Sequence, residues 1–155
     1  MDILPSLMHG FSIFFTPYNL WMAVIGCFFG TLVGILPGLG PSATIALLLP
    51  FTFGMDATPA MIMITSIYYG SKFGGSTTSI LINVPGEGAS VVTTFDGYKM
   101  ALQGRAGAAL GISAIGSFIG GFVGTIGLIF VAVPLANFSL KFGPAEYFSL
   151  ILMGM

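Results

Sequence analysis

The sequence predicts an all-α integral membrane protein in which glycine and proline interrupt the helices. Hydrophobic residues make up 55% of the chain and charged residues 6%, and the mean hydropathy is +1.02. Because soluble domains carry about 25% charged residues, this composition indicates a chain that lies in a lipid bilayer. Residues 3–55 and 106–140 contain no Asp, Glu, Lys or Arg, and both stretches exceed the roughly 20 residues that a spanning helix needs.

Composition also excludes several classes of function. The net charge is −1 and no basic run occurs, so nothing in the sequence predicts nucleic-acid binding. Cys27 is the single cysteine and His9 the single histidine, so the sequence predicts neither an internal disulfide nor a metal site. The apolar stretches contain no nucleophile paired with a base and no pair of carboxylates. We therefore expect a protein that is not an enzyme and that uses no cofactor.

The first elements follow from the apolar runs and their breaks. Residues 3–16 predict a short interfacial helix, and residues 20–36 predict the first span, which Pro37 and Gly38 end. Small residues recur every four positions along that span and leave one helix face without side chains. They are Gly26, Gly30 and Gly34. Such a face lets a neighbouring helix backbone approach closely.

Three apolar pieces that follow are too short to cross a bilayer as single helices. Residues 42–53 and 59–70 lie between glycine-rich breaks at residues 38–41 and 74–76, and residues 76–84 follow the second break. A helix of twelve residues is only about 18 Å long, whereas the hydrocarbon core is about 30 Å thick. The pieces are half-spans, re-entrant segments or helices joined through unwound stretches, and the sequence leaves these three options open.

The second half of the chain alternates between polar and apolar. Residues 85–105 predict a polar surface loop that contains an amphipathic helix at about residues 90–103. On such a loop we expect Glu87, Asp96 and Lys99 to be solvated charges, caps or partner contacts. Residues 106–136 predict a long span that Pro134 ends. We expect residues 1–155 to form a single transmembrane domain.

The first candidate site is the break that contains Gly38, Gly40 and Ser42. Glycine lets the backbone unwind, and Pro41 suits the first turn of a new helix. The free amides of that turn, together with the Ser42 hydroxyl, would hold an anion. A plain turn between two packed helices explains the same residues equally well.

The second candidate site follows Gly75 and contains four hydroxyl residues in an apolar setting. They are Ser76, Thr77, Thr78 and Ser79. Buried hydroxyls are costly unless they bind something, cap a helix or bond to the preceding turn of their own helix. We expect a break at residues 74–76 with Ser76 as helix cap and the other hydroxyls facing a solute. Lys72 either contacts that solute or extends towards the membrane surface.

A coupling ion has its own candidate ligands at the ends of these segments. Asn83 offers a side-chain oxygen, and the backbone near Pro37 and Pro85 offers carbonyls that no helix uses. Oxygen ligands of this kind suit a hard cation such as Na⁺. Paired breaks beside polar side chains are how secondary transporters build solute sites from half-helices.

Five motifs occur in a fixed order along the chain. They are residues 34–41 (GILPGLGP), 69–78 (YGSKFGGSTT), 83–87 (NVPGE), 96–101 (DGYKMA) and 104–110 (GRAGAAL). Together these motifs resemble the large membrane subunit of the tripartite tricarboxylate transporters, from about residue 18 onward.

The resemblance implies a multi-pass subunit of the bacterial inner membrane that works with a small membrane subunit and a periplasmic solute-binding protein. It implies uptake of a citrate-like carboxylate coupled to Na⁺ or H⁺, without ATP. The family's large subunit is longer, so we expect this chain to be its N-terminal portion, one half of an inverted repeat. A structural or assembly subunit is the alternative, which explains the glycine faces but not the hydroxyl run.

Overall fold

The computed structural model describes residues 3–139 and 142–154, and the regular elements in those ranges are helical. The principal helices are α1 (Ile3–Phe14), α2 (Pro17–Gly34), α3 (Gly40–Leu48), α4 (Ala57–Ile82), α5 (Val91–Thr93), α6 (Lys99–Leu102), α7 (Ala106–Ser139) and α8 (Pro144–Gly154). The chain forms two compact units, one up to Ser113 and one from Ala114. The all-α prediction is confirmed for the described residues.

The first unit is organised by the packing of α2 against α4. Gly26, Gly30 and Gly34 are buried in this interface, as are Gly70 and Gly74 on α4. A Cβ atom at Gly26 would lie 2.6 Å from the Met63 carbonyl oxygen, so the two backbones are in direct contact. The predicted glycine face is therefore confirmed, and its partner is a helix of the same unit.

A small apolar core completes the contact of α2 with α3 and α4. Leu48, Met63 and Ile67 are buried at its centre. Leu48 comes from the end of α3, whereas the other two lie one turn apart on α4. The partly buried side chains packed around them are Met22, Ile25, Val33, Ile45 and Met55.

The predicted break between α2 and α3 is confirmed. Gly38 and Gly40 have φ angles of 86° and 61°, which glycine adopts without the steric cost that a Cβ atom would add. Helix α3 is nine residues long and continues as a 3₁₀ turn, Leu49–Thr52. The prediction of a short apolar helix in this region is thus confirmed.

The predicted break at residues 74–76 is wrong, because α4 runs without interruption from Ala57 to Ile82. Its 26 residues span about 39 Å, so the pieces predicted at residues 59–70 and 76–84 form one helix. Ser76 accordingly lies inside the helix and does not cap it. Gly74 has a packing role here, since a Cβ atom on it would lie 2.5 Å from the Thr31 carbonyl oxygen of α2.

Helix α4 ends at Asn83, which adopts the left-handed conformation with a φ of 59°. The chain then forms a helical surface segment at residues 88–102, in which a 3₁₀ turn precedes α5 and a π-helical turn, Thr94–Tyr98, precedes α6. Gly97 in the π-helical turn packs on the Ile80 side chain of α4. The chain is thus helical over most of residues 90–103, where the sequence predicted a helix, and it includes a π-helical turn that the sequence pattern did not indicate.

Helix α7 is longer than the predicted span. Its 34 residues include Pro134, which was predicted to mark the helix end. That prediction is wrong, as helices that cross membranes tolerate internal proline where neighbouring groups satisfy the freed carbonyl. Among the described residues, two helices are long and apolar enough to cross a bilayer, namely Pro17–Gly34 and the Ala106–Ala132 part of α7.

We predict that Gly70→Ala destabilises the first unit, since the added Cβ atom would contact the Cys27 carbonyl and the Thr31 amide of α2. Overpacking of this kind costs about 1–3 kcal/mol. The midpoint of thermal aggregation, measured in detergent by size-exclusion chromatography with fluorescence detection, should fall by several degrees. Gly10→Ala is the control, because a Cβ atom on that α1 residue meets open space. Equal midpoints for both variants would contradict the close α2–α4 contact.

Candidate functional site

The end of α2 and the start of α3 meet the same turn of α4. Gly34 packs against the Ser71 backbone, where a Cβ atom would lie 2.5 Å from the Ser71 Cα. The Ser71 hydroxyl donates a hydrogen bond of 3.1 Å to Thr44 Oγ1, and Thr44 in turn donates to the Gly40 carbonyl at 2.8 Å. The two hydroxyl residues are buried. The break at residues 35–39 therefore lies beside the turn of α4 that carries Lys72.

The break itself is open to solvent. Pro37, Gly38 and Ser42 are exposed, and Gly40 is half-buried. Within the fully described helix α3, no side chain caps the first turn, and Pro41 occupies its start. The amides of that turn are therefore available to an external acceptor, as a helix start requires for anion binding.

Lys72 projects from α4 towards the loop that follows the helix. Its Nζ atom lies 2.7 Å from Glu87 Oε2 and 5.5 Å from the centre of the Tyr68 ring. The Lys72 side chain is 34% exposed and the Glu87 side chain is 15% exposed. Of the alternatives expected for Glu87, the cap is confirmed, because Glu87 precedes the turn at residues 88–90 and forms a capping box with Ser90. The sequence did not indicate the ion pair with Lys72, fifteen positions away.

The loop at residues 83–87 folds back along α4 to make that pair. Gly86 contacts the backbone of Gly75, and a Cβ atom on Gly86 would meet the Gly75 Cα, so position 86 has no room for a side chain. The loop ends in a compact turn, because the Glu87 amide donates to Ser90 Oγ at 3.1 Å and the Ser90 hydroxyl donates to the Glu87 carbonyl at 2.9 Å. Three chain segments thus converge on residues 71–75 of α4: the break, the α3 start and this loop.

Two comparisons with known proteins bear on this arrangement. A model of the tripartite tricarboxylate transporter TctA family matches residues 20–155. The chain belongs to the TctA family. It is also 53% identical over all 155 residues to a protein of Agrobacterium vitis described as an uncharacterized 52.8 kDa protein in the TAR-I ttuC' 3' region. The chain spans 31% of the length of that relative. No solved structure matches this chain.

The hydroxyl run of this TctA-family chain is satisfied within α4. Ser76 donates to the Lys72 carbonyl and Thr77 to the Phe73 carbonyl, while Thr78 and Ser79 both donate to Gly75. These bonds explain why the helix needs no break. Ser76 and Thr77 are half-buried, whereas Thr78 is 4% exposed and Ser79 is fully buried.

Asn83 and Pro85 lie where the sequence placed them, at the end of α4. Asn83 is exposed, and its left-handed conformation is one that asparagine adopts more readily than most residues. The left-handed conformation explains why asparagine occurs at this position even if no ion binds there. The role of Asn83 as an ion ligand therefore stays a prediction. In the described ranges 3–139 and 142–154, no group of three His, Cys, Asp or Glu residues is placed to hold a metal ion.

Sequence reasoning missed the two buried hydroxyls that join α3 to α4. Thr44 and Ser71 are 27 residues apart, and each looks like an ordinary residue of an apolar helix. The sequence did contain one indication of this contact. Gly34 and Gly70 belong to glycine faces on two helices, and close packing of those faces would bring α2 next to Ser71. Long-range pairing of that kind needs the tertiary packing to be known.

We predict that Thr44→Val destabilises the TctA-family chain by about 1–2 kcal/mol, because it removes the acceptor of the buried Ser71 hydroxyl. Ser71→Ala should cost a similar amount. The double variant should cost less than the sum, since no unpaired donor then remains. Thermal midpoints of the four proteins in detergent would test this coupling, and strictly additive losses would show that the two hydroxyls do not interact.

Proposed function

We propose that this chain forms part of the large membrane subunit of an ion-coupled tripartite transporter that takes up a citrate-like carboxylate. The observation that carries the proposal is membership of the TctA family across residues 20–155. The chain supplies membrane-compatible helices and one cluster of polar groups, and a transport subunit needs both. The proposed setting is the bacterial inner membrane, with several spans in the complete subunit.

The solute is proposed to bind beside residues 71–77 of α4. Lys72 supplies a positive charge there, and the uncapped amides after Gly40 supply further donors from the adjacent α3 start. An ammonium group next to free amides can bind a carboxylate, and membership of the TctA family favours that anion. Ser76 and Thr77 lie on α4 one turn beyond Lys72 and are half-buried, so we assign them to the solute rather than Thr78 and Ser79.

Coupling to Na⁺ or H⁺ is proposed to use the oxygen atoms at the ends of these segments. Pro37 lies in the exposed break, and Pro85 lies in the loop that returns along α4. Both positions free carbonyl groups from helical bonding, and Asn83 adds a side-chain oxygen. Pro85 lies on the loop that carries Glu87, the partner of Lys72, so an ion bound on this loop would influence a bound carboxylate through its charge.

The proposed partners are a small membrane subunit and a periplasmic solute-binding protein that delivers the carboxylate. The apolar faces of α7 support a membrane setting, because the 18-residue window that marks its span contains no residue buried within the chain. The second candidate is a structural or assembly subunit. The internal hydrogen bonding of the hydroxyl run favours that candidate, since it gives those side chains a role without any solute.

The test is uptake by cells that produce the full-length subunit with both partners. Radiolabelled citrate and a panel of smaller dicarboxylates should accumulate in the presence of a Na⁺ or proton gradient, and collapse of the gradient should abolish accumulation. Normal assembly of the membrane complex without uptake of any carboxylate would favour the structural candidate.

Thr77→Val should raise the KM for carboxylate uptake by about tenfold, as it removes a hydroxyl proposed to bond a charged solute. Thr65→Val is the matched control. Thr65 lies on the same helix, is exposed and bonds to the Met61 carbonyl in the same way. Folded yield should be equal for both variants. Equal KM values would show that Thr77 serves only its own helix.

Asn83→Gly should retain uptake but need a several-fold higher ion concentration for half-maximal rate. Glycine adopts the left-handed conformation at no steric cost, so the substitution removes the side-chain oxygen and leaves the helix end intact. Asn83→Asp is the control, because it keeps both an oxygen ligand and tolerance of that conformation. An unchanged ion dependence in the glycine variant would remove Asn83 from the proposed ion site.

A further inference from the structure

The ion pair of Lys72 and Glu87 joins the proposed solute site to a separate segment of chain. Lys72 belongs to α4, whereas Glu87 lies on the loop and directly precedes the 88–102 segment. The Glu87 carboxylate lies 2.7 Å from the Lys72 ammonium, and the Tyr68 ring flanks the same nitrogen at 5.5 Å. The Lys72 ammonium group is therefore already paired with a carboxylate of the protein, that of Glu87.

This pair is suited to exchange. Glu87 is the more buried partner, with 15% of its side chain exposed, so removal of Glu87 without a substitute would leave Lys72 unpaired in a partly desolvated site. The Lys72 side chain keeps 34% of its surface exposed, so a carboxylate from solution can approach it. A solute carboxylate offers the same charge and the same acceptor atoms as Glu87, and it can replace that side chain without leaving the ammonium unpaired.

We propose that Glu87 is an internal competitor for the solute carboxylate, and that solute binding to Lys72 releases the loop at residues 83–87 from α4. This inference rests on the proposed function and adds a regulatory contact to the same site. Release of Glu87 couples occupancy of the site to the position of the 88–102 segment, which begins at the next residue.

The construction of the loop supports movement as a unit. Asn83, the first residue of the loop, and Gly88, which follows it, are exposed. Between them, Gly86 meets Gly75 through backbone atoms alone, so no interlocking side chain holds the loop at that point. Two hydrogen bonds join Ser90 Oγ to the backbone of Glu87, and the Glu87 side chain forms a capping box with Ser90, so Glu87 stays attached to the start of the 88–102 segment. Movement of Glu87 therefore moves the start of that segment.

Substitution of Glu87 tests the competition directly. In the full-length transporter with both partners, Glu87→Gln should lower the KM for citrate uptake by about two- to fivefold, because the competing charge is gone. Glu87→Asp should have a smaller effect in the same direction, since it keeps the charge on a shorter side chain. Asp96→Asn is the control and should leave KM unchanged, as Asp96 is an exposed acid of the same segment. A raised or unchanged KM in both Glu87 variants would overturn the proposal.

A charge exchange distinguishes a competitor from a structural brace. Lys72→Glu combined with Glu87→Lys restores an ion pair between the same positions but places an acid where the solute carboxylate must bind. We expect the exchanged protein to recover the thermal stability that Lys72→Gln loses, while citrate uptake remains lost. Recovery of uptake together with stability would show that the pair is only a brace, and would overturn the proposal.

Binding to purified protein gives a readout that does not require transport. Citrate should raise the thermal midpoint of the full-length Glu87→Gln subunit more than that of the wild type, because tighter binding stabilises the folded state more. An equal or smaller rise would overturn the competition. If the wild type imports no carboxylate with its partners present, the proposed function itself fails. If it does import but the Glu87 variants behave as wild type, only the competition fails.

Discussion

The close contact between the backbones of α2 and α4 is the constraint on which the first unit depends. Lipid tails are as apolar as leucine side chains, so helices in a bilayer gain little from burying hydrocarbon and associate through close packing instead. Gly26, Gly30 and Gly34 give α2 a face without side chains, and Gly70 and Gly74 give α4 the matching face. The small buried core around Met63 and Ile67 forms where those faces have brought the helices together.

This contact also positions the candidate site. Because Gly34 ends α2 against Ser71, the break at residues 35–39 has to begin beside Lys72. The Thr44–Ser71 hydrogen bond then sets the first turn of α3 against the same part of α4. This packing brings together two segments that lie about 30 residues apart in sequence, the start of α3 and the turn of α4 that carries Lys72. The resulting cluster combines an ammonium group with uncapped helix amides.

Helix α4 shows how a polar run can be accommodated without unwinding. Each of its four consecutive hydroxyls donates to a carbonyl three or four residues earlier, which leaves none of them an unpaired donor. The two glycines before the run contact neighbours on both sides. A Cβ atom on Gly74 would clash with the α2 backbone, and Gly75 packs against Gly86 of the returning loop. Features that resemble a chain break in sequence here serve close packing, and a carboxylate would meet an intact helix surface.

The sequence by itself determined the membrane class, the helical architecture and the family, because composition, apolar length and motif order are properties of the chain alone. It also predicted the break at Gly38 and Gly40 and the packing face on α2, since both depend on local backbone freedom and spacing. Only the tertiary structure decided whether Gly74 and Gly75 break a helix or pack it, as glycine permits both and the neighbouring backbone selects one. The same holds for Lys72 and Glu87. Their pairing depends on the left-handed turn at Asn83 and the contact of Gly86 with Gly75, which return the chain along α4, and no local pattern encodes that return.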